Sequence, residues 1–326
     1  MKIGMVNLSS VFFLSVYVMF AAPAFCEGRV LRVGHFPNLT HAAALVEHAK
    51  WRAMPSKIEG ALGNDVKIEW FTYNAGPSAM EALLVDSIDI TYVGPNPAIN
   101  AFVRSKGEEV RLIAGATLGG PALLVQGNGV IKTPADFRGK KIGTPQLGNT
   151  QDVAARAWLS DNGIHVTQTG GDAQLIPAEN PDLLSLFITG KIDAAWTVEP
   201  WVTRIENEAK ATIFLAEDQA VTTVLVSSAK ALREKSDLVK AFLKLHCETT
   251  AELTSKAEES KKYVAEELEA ETGRPMSHEI LNSAWRRMHF SADVPGDKLE
   301  KFLVSAQKVG FLKDVAGIKG LIYVFE

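Results

Sequence analysis

The chain has 326 residues, 47% of them hydrophobic and 22% charged, with a formal net charge of −4. That length suits two ordinary domains, and the composition excludes a disordered chain. The mildly acidic balance offers no basic face for nucleic acid, although one local pocket can depart from the mean field and hold a small anion.

The first segment is the most diagnostic. Lys2 is its one charged residue, 11–20 (VFFLSVYVMF) is an apolar run, and Ala22-Pro23-Ala24 places small residues before a cleavage point. The run falls short of the roughly 20 apolar residues that span a bilayer. The pattern predicts a secretory signal peptide over 1–24, with a lipid-modified Cys26 as the variant reading. Cleavage removes Lys2 and takes the charge to −5. Cys26 and Cys247 are the two cysteines, one at the cleavage edge, so no structural disulfide is expected.

From Val30 onward, short strand-like runs alternate with helix-like ones. Strands are predicted over 30–33, 66–73, 88–93, 110–117, 141–144, 175–177, 194–197 and 222–227. Helices are predicted from about 41 to Pro55, over 77–85, 97–105, 150–162 and 182–189, and from near Pro200. The chain then becomes helical over 236–271, 277–288 and 296–309. Such alternation is the grammar of α/β lobes, each a mainly parallel sheet flanked by helices.

An internal echo supports two lobes of similar build. Residues 82–93 read ALLVDSIDITYV and residues 186–197 read LFITGKIDAAWT. Both give an apolar helix end, a polar turn, Ile-Asp and then a strand. Tyr92 and Trp196 coincide, and each strand enters a proline loop, Gly94-Pro95 or Glu199-Pro200. Ligands of open parallel sheets bind beyond the carboxyl ends of strands, where both loops lie.

Five strand-end loops carry unusual chemistry: 34–41 (GHFPNLTH), 94–97 (GPNP), 117–121 (TLGGP), 148–151 (GNTQ) and 196–201 (WTVEPW). Three run into predicted helices, at Thr40/His41, Asn96/Pro97 and Asn149/Thr150. Helix N-termini present unpaired N–H groups and partial positive charge, so they hold anions without lysine or arginine. Phe36, Tyr92 and Trp196 are candidate aromatic walls for an apolar tail. The same residues also have plain structural readings: Thr40, Asn96 and Asn149 as helix caps, Trp196 and Trp201 as core, and His35 and His41 as surface or capping side chains. Glu199 would repel an anion, so it is expected to make a structural hydrogen bond or meet a ligand donor.

No Walker loop, GxSxG elbow, HExxH or CxxC pair occurs. No catalytic residue, metal ligand or cofactor is therefore expected, and the chain reads as a binder rather than an enzyme.

The stretches VGHFPNLTHA, NAGPSAMEALLVDSIDITYVGPNPAINA, ADFRGKKIGTPQLGNTQDVAARAWL and KIDAAWTVEPW resemble the substrate-binding proteins of nitrate, sulfonate and bicarbonate ABC transporters. Relatives in that superfamily handle taurine and thiamine precursors. The feel is closest to the aliphatic-sulfonate group, through GNTQDV and the Trp-x-x-Glu-Pro-Trp loop. Residues 48–58 (HAKWRAMPSKI) depart from the family's usual Gly-Phe-Phe-like turn.

The resemblance implies a two-lobed type II periplasmic-binding-protein fold with a helical C-terminal tail. Residues 29–120 plus 221–326 would form one lobe and 121–220 the other, with hinge crossings near 119–122 and 221–224. It implies ligand contacts at Asn38, Thr40, His41, Gly94, Asn96, Thr117, Gly119, Asn149, Thr150 and Trp196. It further implies a monomer in the periplasm or outside the cytoplasm, delivering a small organic anion to ABC transporter permease subunits. Nitrate, bicarbonate and a pyrimidine precursor are the alternative ligands, and a pyrimidine-forming enzyme is the rival class. Those enzymes carry a cysteine-rich motif that this sequence lacks.

Overall fold

The computed structural model describes residues 29–167, 170–294, 296–313 and 317–325. The expected signal peptide and Cys26 lie outside them. The strands are β1 (Arg29–His35), β2 (Val66–Thr72), β3 (Ile90–Val93), β4 (Val110–Gly119), β5 (Ala122–Val125), β6 (Lys141–Thr144), β7 (Gln174–Pro177), β8 (Ala194–Thr197), β9 (Thr212–Ala216), β10 (Val221–Ser228) and β11 (Met288–Phe290). They form two sheets. The first runs β11-β4-β10-β3-β1-β2 and the second β7-β6-β8-β5-β9.

Each sheet contains the same parallel triad. β1 lies between β2 and β3, and β6 lies between β7 and β8. The remaining ladders are antiparallel, so each sheet is mixed and not mainly parallel as expected, because the strands that pass between the sheets run against the triads. The sequence echo has a physical basis here. Asp89 accepts from the Arg32 N–H at 2.8 Å, and Asp193 accepts from the Lys141 N–H at 2.9 Å. Each carboxylate thus fastens the start of the third strand to the first. Ile88 and Ile192 press on glycines of the central strands: a Cβ on Gly34 would lie 2.9 Å from Ile88, and one on Gly143 would lie 2.8 Å from Ile192. The Ile-Asp pair therefore sets the depth and register of one strand in each lobe.

Apolar side chains cover both faces of each sheet. Leu31, Val33, Ile90 and Leu225 join the cluster under the Ala42–Ala53 and Ser236–Ser255 helices. Val93, Leu112 and Val226 join the opposite one. In the second sheet Leu123 and Trp196 face one cluster, Leu124 and Ala195 the other. Each such fully buried aliphatic side chain stabilises the fold by ~1.5–3 kcal/mol.

Several expected boundaries move. The helix expected over 236–271 is two helices, Ser236–Ser255 and Ala257–Thr272, with Lys256 non-helical at φ −127° and ψ 43°. Glu252 pairs with both Lys50 and Lys256 at this corner. The helix expected to reach Met288 is His278–Trp285, and Met288 opens β11 instead. Strands β5, β9 and β11 are additions. β5 is a fully buried run of four residues and shows no alternation to read. Pro55 begins a second helix, Pro55–Leu62, as the first-turn proline permits.

Two crossings join the sheets. The chain leaves β4 through Gly119 and Gly120, at φ +75° and +91°, and enters β5 after Pro121. It returns from β9 through 217–220 into β10. The crossings are bonded to each other: Gly119 N donates to Ala220 O at 2.8 Å, Glu217 N to Pro121 O at 3.0 Å, and Thr222 Oγ1 to Gly119 O at 2.6 Å.

Candidate functional site

Five helices begin at the seam between the sheets. Three belong to the first sheet: Ala42–Ala53, Gly76–Leu84 and Pro95–Arg104. Two belong to the second: Thr150–Asp161 and Asn180–Ile188. Each follows a strand of one of the parallel triads, so their N-termini gather at the carboxyl ends of those strands. They surround an inner cavity of about 30 Å³. That is room for little more than one or two waters, so the lobes are drawn together.

Among the described residues, no Lys, Arg, Asp or Glu lines this cavity. The three first-sheet helices also carry no acidic residue in their first turns. Asp152 sits in the first turn of the fourth, but Arg156 binds its carboxylate at 2.9 Å, and Thr144 and the Gly148 N–H donate to it as well. Asp182 sits in the first turn of the fifth, exposed and away from the cavity lining. The wall of the cavity is thus made of N–H groups and neutral side chains at helix ends, an environment that favours an anion.

The polar side chains there are arranged to donate. Phe36 N donates to His41 Nδ1 at 3.3 Å, which leaves the remaining ring proton on Nε2. Burial holds the imidazole well below its ordinary range, so His41 is neutral. Asn38 Oδ1 accepts from Trp201 Nε1 at 3.0 Å, and Asn180 Oδ1 accepts from Thr197 Oγ1 at 2.7 Å. Each bond occupies the oxygen and turns the amide's donors elsewhere. Thr150 Oγ1 is buried without a protein partner, although Thr150 lines the cavity.

Of the expected contacts, Asn38, Thr40, His41, Gly94, Asn149 and Thr150 line the cavity. Four do not. Thr117 donates to Thr40 O at 2.7 Å and supports the first loop from behind. Gly119 belongs to the crossing. Asn96 turns back into its own lobe and donates to Phe302 O at 3.3 Å. Trp196 is core: it is 2% exposed, packs against Trp158 and donates its N–H to Glu217 at 3.0 Å. Tyr92 is likewise buried, with its hydroxyl donating to Glu47 at 2.8 Å beside His246. Phe36 remains a wall.

Asn74, Ala75, Gly76, Pro97, Pro145, Gln151, Asn180, Val198 and Thr222 complete the lining; Pro97, Gln151 and Val198 belong to the expected loops, and the other six lie outside them. Asn74 and Asn180 carry the same signal as Asn149, an asparagine between a strand end and a helix start.

Contacts between the lobes hold the seam. Besides Asn38 and Trp201, Arg287 Nη1 binds Glu199 at 2.8 Å and its Nη2 binds Glu206 at 2.6 Å. Glu199 is fully buried and also accepts from Thr203 N and Oγ1. Burial raises its carboxyl above the usual range while Arg287 and Thr203 oppose the rise. The objection raised by Glu199 is thereby answered: it is a structural acceptor and does not line the cavity. Lys308 pairs with Asp161 across the same seam.

An outer chamber of about 660 Å³ opens beyond the inner one. Asn38, Asn74 and Asn180 line both, so the two adjoin. Tyr73, Trp201, Arg204, Arg274 and Met276 help to wall the outer chamber, with Arg204 4.8 Å from the centre of the Trp201 ring.

A model of the NMT1-like family matches residues 26–268. The chain belongs to the NMT1-like family. A binding protein of Brucella abortus is 25% identical over 224 residues, covering 64% of this chain and 67% of that one. An aliphatic sulfonates-binding protein of Escherichia coli is 33% identical over 135 residues, 40% of each chain. Among solved structures, the alkanesulfonate-binding protein SsuA of Xanthomonas axonopodis pv. citri, bound to MOPS, matches with TM-score 0.73 at 17% identity. That match covers 91% of this chain and 99% of the other. This member of the NMT1-like family thus has the two-lobed type II periplasmic-binding-protein fold.

Proposed function

We propose that this protein is the extracytoplasmic solute-binding component of an ABC importer and closes its lobes on a small organic anion of the aliphatic sulfonate or taurine type. In this reading residues 1–24 direct export. Residues 29–120 with 221–326 form one lobe and 121–220 the other, and the closed monomer presents its cargo to permease subunits. The protein performs no chemistry on the ligand. The observation that carries the reading is the uncharged inner cavity ringed by five helix N-termini. A sulfonate head suits it, being a permanent anion whose oxygens accept several hydrogen bonds and which needs no counter-cation. The adjoining outer chamber favours an anion with a tail over a bare one, since Trp201, Tyr73 and Met276 can cover carbon while the head is held within. The names of the E. coli and Xanthomonas proteins point to the same ligand class.

Lobe opening admits the ligand and closure completes its contacts, so binding shifts a population between two states. Calorimetry on the exported protein with butanesulfonate, taurine, MOPS, nitrate, bicarbonate and an aminopyrimidine tests the reading. Saturable binding of at least one sulfonate, tighter than that of nitrate or bicarbonate, is expected. Binding of the pyrimidine or of nitrate with no heat from any sulfonate would refute it.

A further inference from the structure

We propose that His35, His48, Glu267 and Glu271 form a site for a zinc-class divalent ion inside the first lobe, behind the ligand-binding loop. The four residues come from three elements. His35 ends β1, His48 lies in the Ala42–Ala53 helix, and the glutamates lie one turn apart on the Ala257–Thr272 helix. Residues four apart on a helix share a face, so both carboxylates reach the same point.

The donor atoms already converge. Glu271 Oε1 lies 2.6 Å from His35 Nε2 and 3.1 Å from His48 Nδ1, and His48 Nδ1 lies 2.8 Å from Glu267 Oε1. One donor atom from each of His35, His48 and Glu271 falls within 4.8 Å of the others. Zinc holds nitrogen and oxygen ligands at ~2.0–2.2 Å in a tetrahedron, which separates them by about 3.3 Å. To seat the ion the His35–Glu271 pair would open from 2.6 Å toward that spacing, with Glu267 joining through its contact with His48.

Three further observations fit an ion. The side chains are buried, with exposures of 0% for His35, 9% for His48, 1% for Glu267 and 6% for Glu271. Buried Glu271 Oε2 has no hydrogen-bond partner, and a carboxylate can give its second oxygen to a metal. Arg52 satisfies Glu267 at 2.6 Å, whereas Glu271 has no Lys or Arg within ion-pair distance among the described residues. The rings are also held in place. Trp70 stacks on His48 at 4.7 Å and meets His35 edge-on at 5.5 Å, and the two imidazoles lie at 88° to each other. This packing fixes the ring planes, while the other ring nitrogen of His35, Nδ1, is buried without a partner.

The donor set is two imidazoles and two carboxylates, with no thiolate. That chemistry suits Zn²⁺ over Ca²⁺ or Mg²⁺, which take oxygen ligands in larger number. The ion would tie the end of β1, directly before the Phe36–His41 loop, to the helix whose Leu268 and Thr272 line the outer chamber. Its place is structural and lies outside both chambers. Nothing in the spacing announces it, because His35 and Glu271 are 236 positions apart.

The test uses the full exported protein, stripped with a chelator and titrated with ZnCl₂ under competition from a zinc-binding dye. Cobalt absorbance reports the geometry. One zinc per chain, a four-coordinate cobalt spectrum and a melting temperature that rises with zinc concentration are expected. His48→Gln and Glu267→Gln should each weaken zinc at least tenfold, and His165→Gln, at a residue remote from the cluster, should not. Glu267 lies at the Arg52 edge of the cluster, so its variant serves if His48→Gln does not fold. Absence of a stoichiometric zinc in the unaltered protein would overturn the assignment, as would unchanged affinity in either variant.

Discussion

Gly94 faces Thr150 closely across the seam, and adding one methyl group there tests the closure mechanism directly. Its φ of −69° is open to any residue, so backbone strain is not involved. A Cβ at this position would lie 2.3 Å from Thr150 Oγ1 and 3.3 Å from Thr150 Cβ, across the seam. Ordinary contact begins near 3.4 Å, so the lobes of Gly94→Ala must stand apart by about 1 Å at this point or Thr150 must give way. Overpacking of this kind costs ~1–3 kcal/mol, which converts to a roughly 5- to 150-fold loss of affinity for a ligand that binds the closed form. The open form feels none of it, so the ligand-free melting temperature should hardly move. Calorimetry with an alkanesulfonate, and small-angle scattering of the saturated protein, measure the two effects. In a Thr150→Ala background the clashing oxygen is gone, and Gly94→Ala should then cost much less than in the parent. This non-additivity marks contact across the seam. Affinity within twofold of the parent, or the same loss in both backgrounds, would refute the reasoning.

Three other outcomes follow from the site. Trp196→Ala should destabilise the fold by ~3–5 kcal/mol in urea unfolding, because it empties a core position and leaves Glu217 buried without its donor; a selective loss of ligand affinity with stability intact would return Trp196 to the binding site. Arg287→Met strands the buried Glu199 carboxylate, so affinity should fall at pH 7 and recover in part near pH 5 as that raised carboxyl takes a proton; calorimetry at the two pH values checks it. His41 titrates well below its ordinary value, so the unfolded chain takes up that proton first. The contribution of His41 to stability is full above about pH 6.5 and declines as pH falls below it. Sulfonate affinity should be level between pH 7 and 8, and denaturant midpoints measured from pH 7 to 5 should show the decline that His41→Gln relieves.

Much of the lobe architecture is legible along the chain because each lobe repeats one device. Ile88-Asp89 and Ile192-Asp193 mark strands with equivalent partners, and glycines at 34 and 143 receive the isoleucines. The strand-to-helix loops announce a donor-rich site for the same reason. What sequence cannot supply is the direction of a side chain on a strand buried on both faces. β3 and β8 are buried at every position, so alternation carries no information about Tyr92 or Trp196, and both point into cores rather than the cleft. The asparagine rule, applied to Asn149, also identifies Asn74 and Asn180. Thr117, near the end of β4, and Asn96, in the first turn of its helix, have tasks that depend on neighbours, Thr40 and Phe302, that only the folded chain brings near.

The paired crossings set how the cleft can move. Two separate tethers would let the lobes slide, twist and gape independently. Here the outgoing and returning strands are joined by three hydrogen bonds into a narrow ribbon. Those bonds oppose sliding of one strand past the other, so the softer motion is a change in the angle between the lobes. The five helix ends then come together in a fixed arrangement each time the angle closes. A ligand that fits reads that arrangement in a single movement, and one that is too large holds the angle open along the whole seam, including the Arg287 and Lys308 contacts that lie on it.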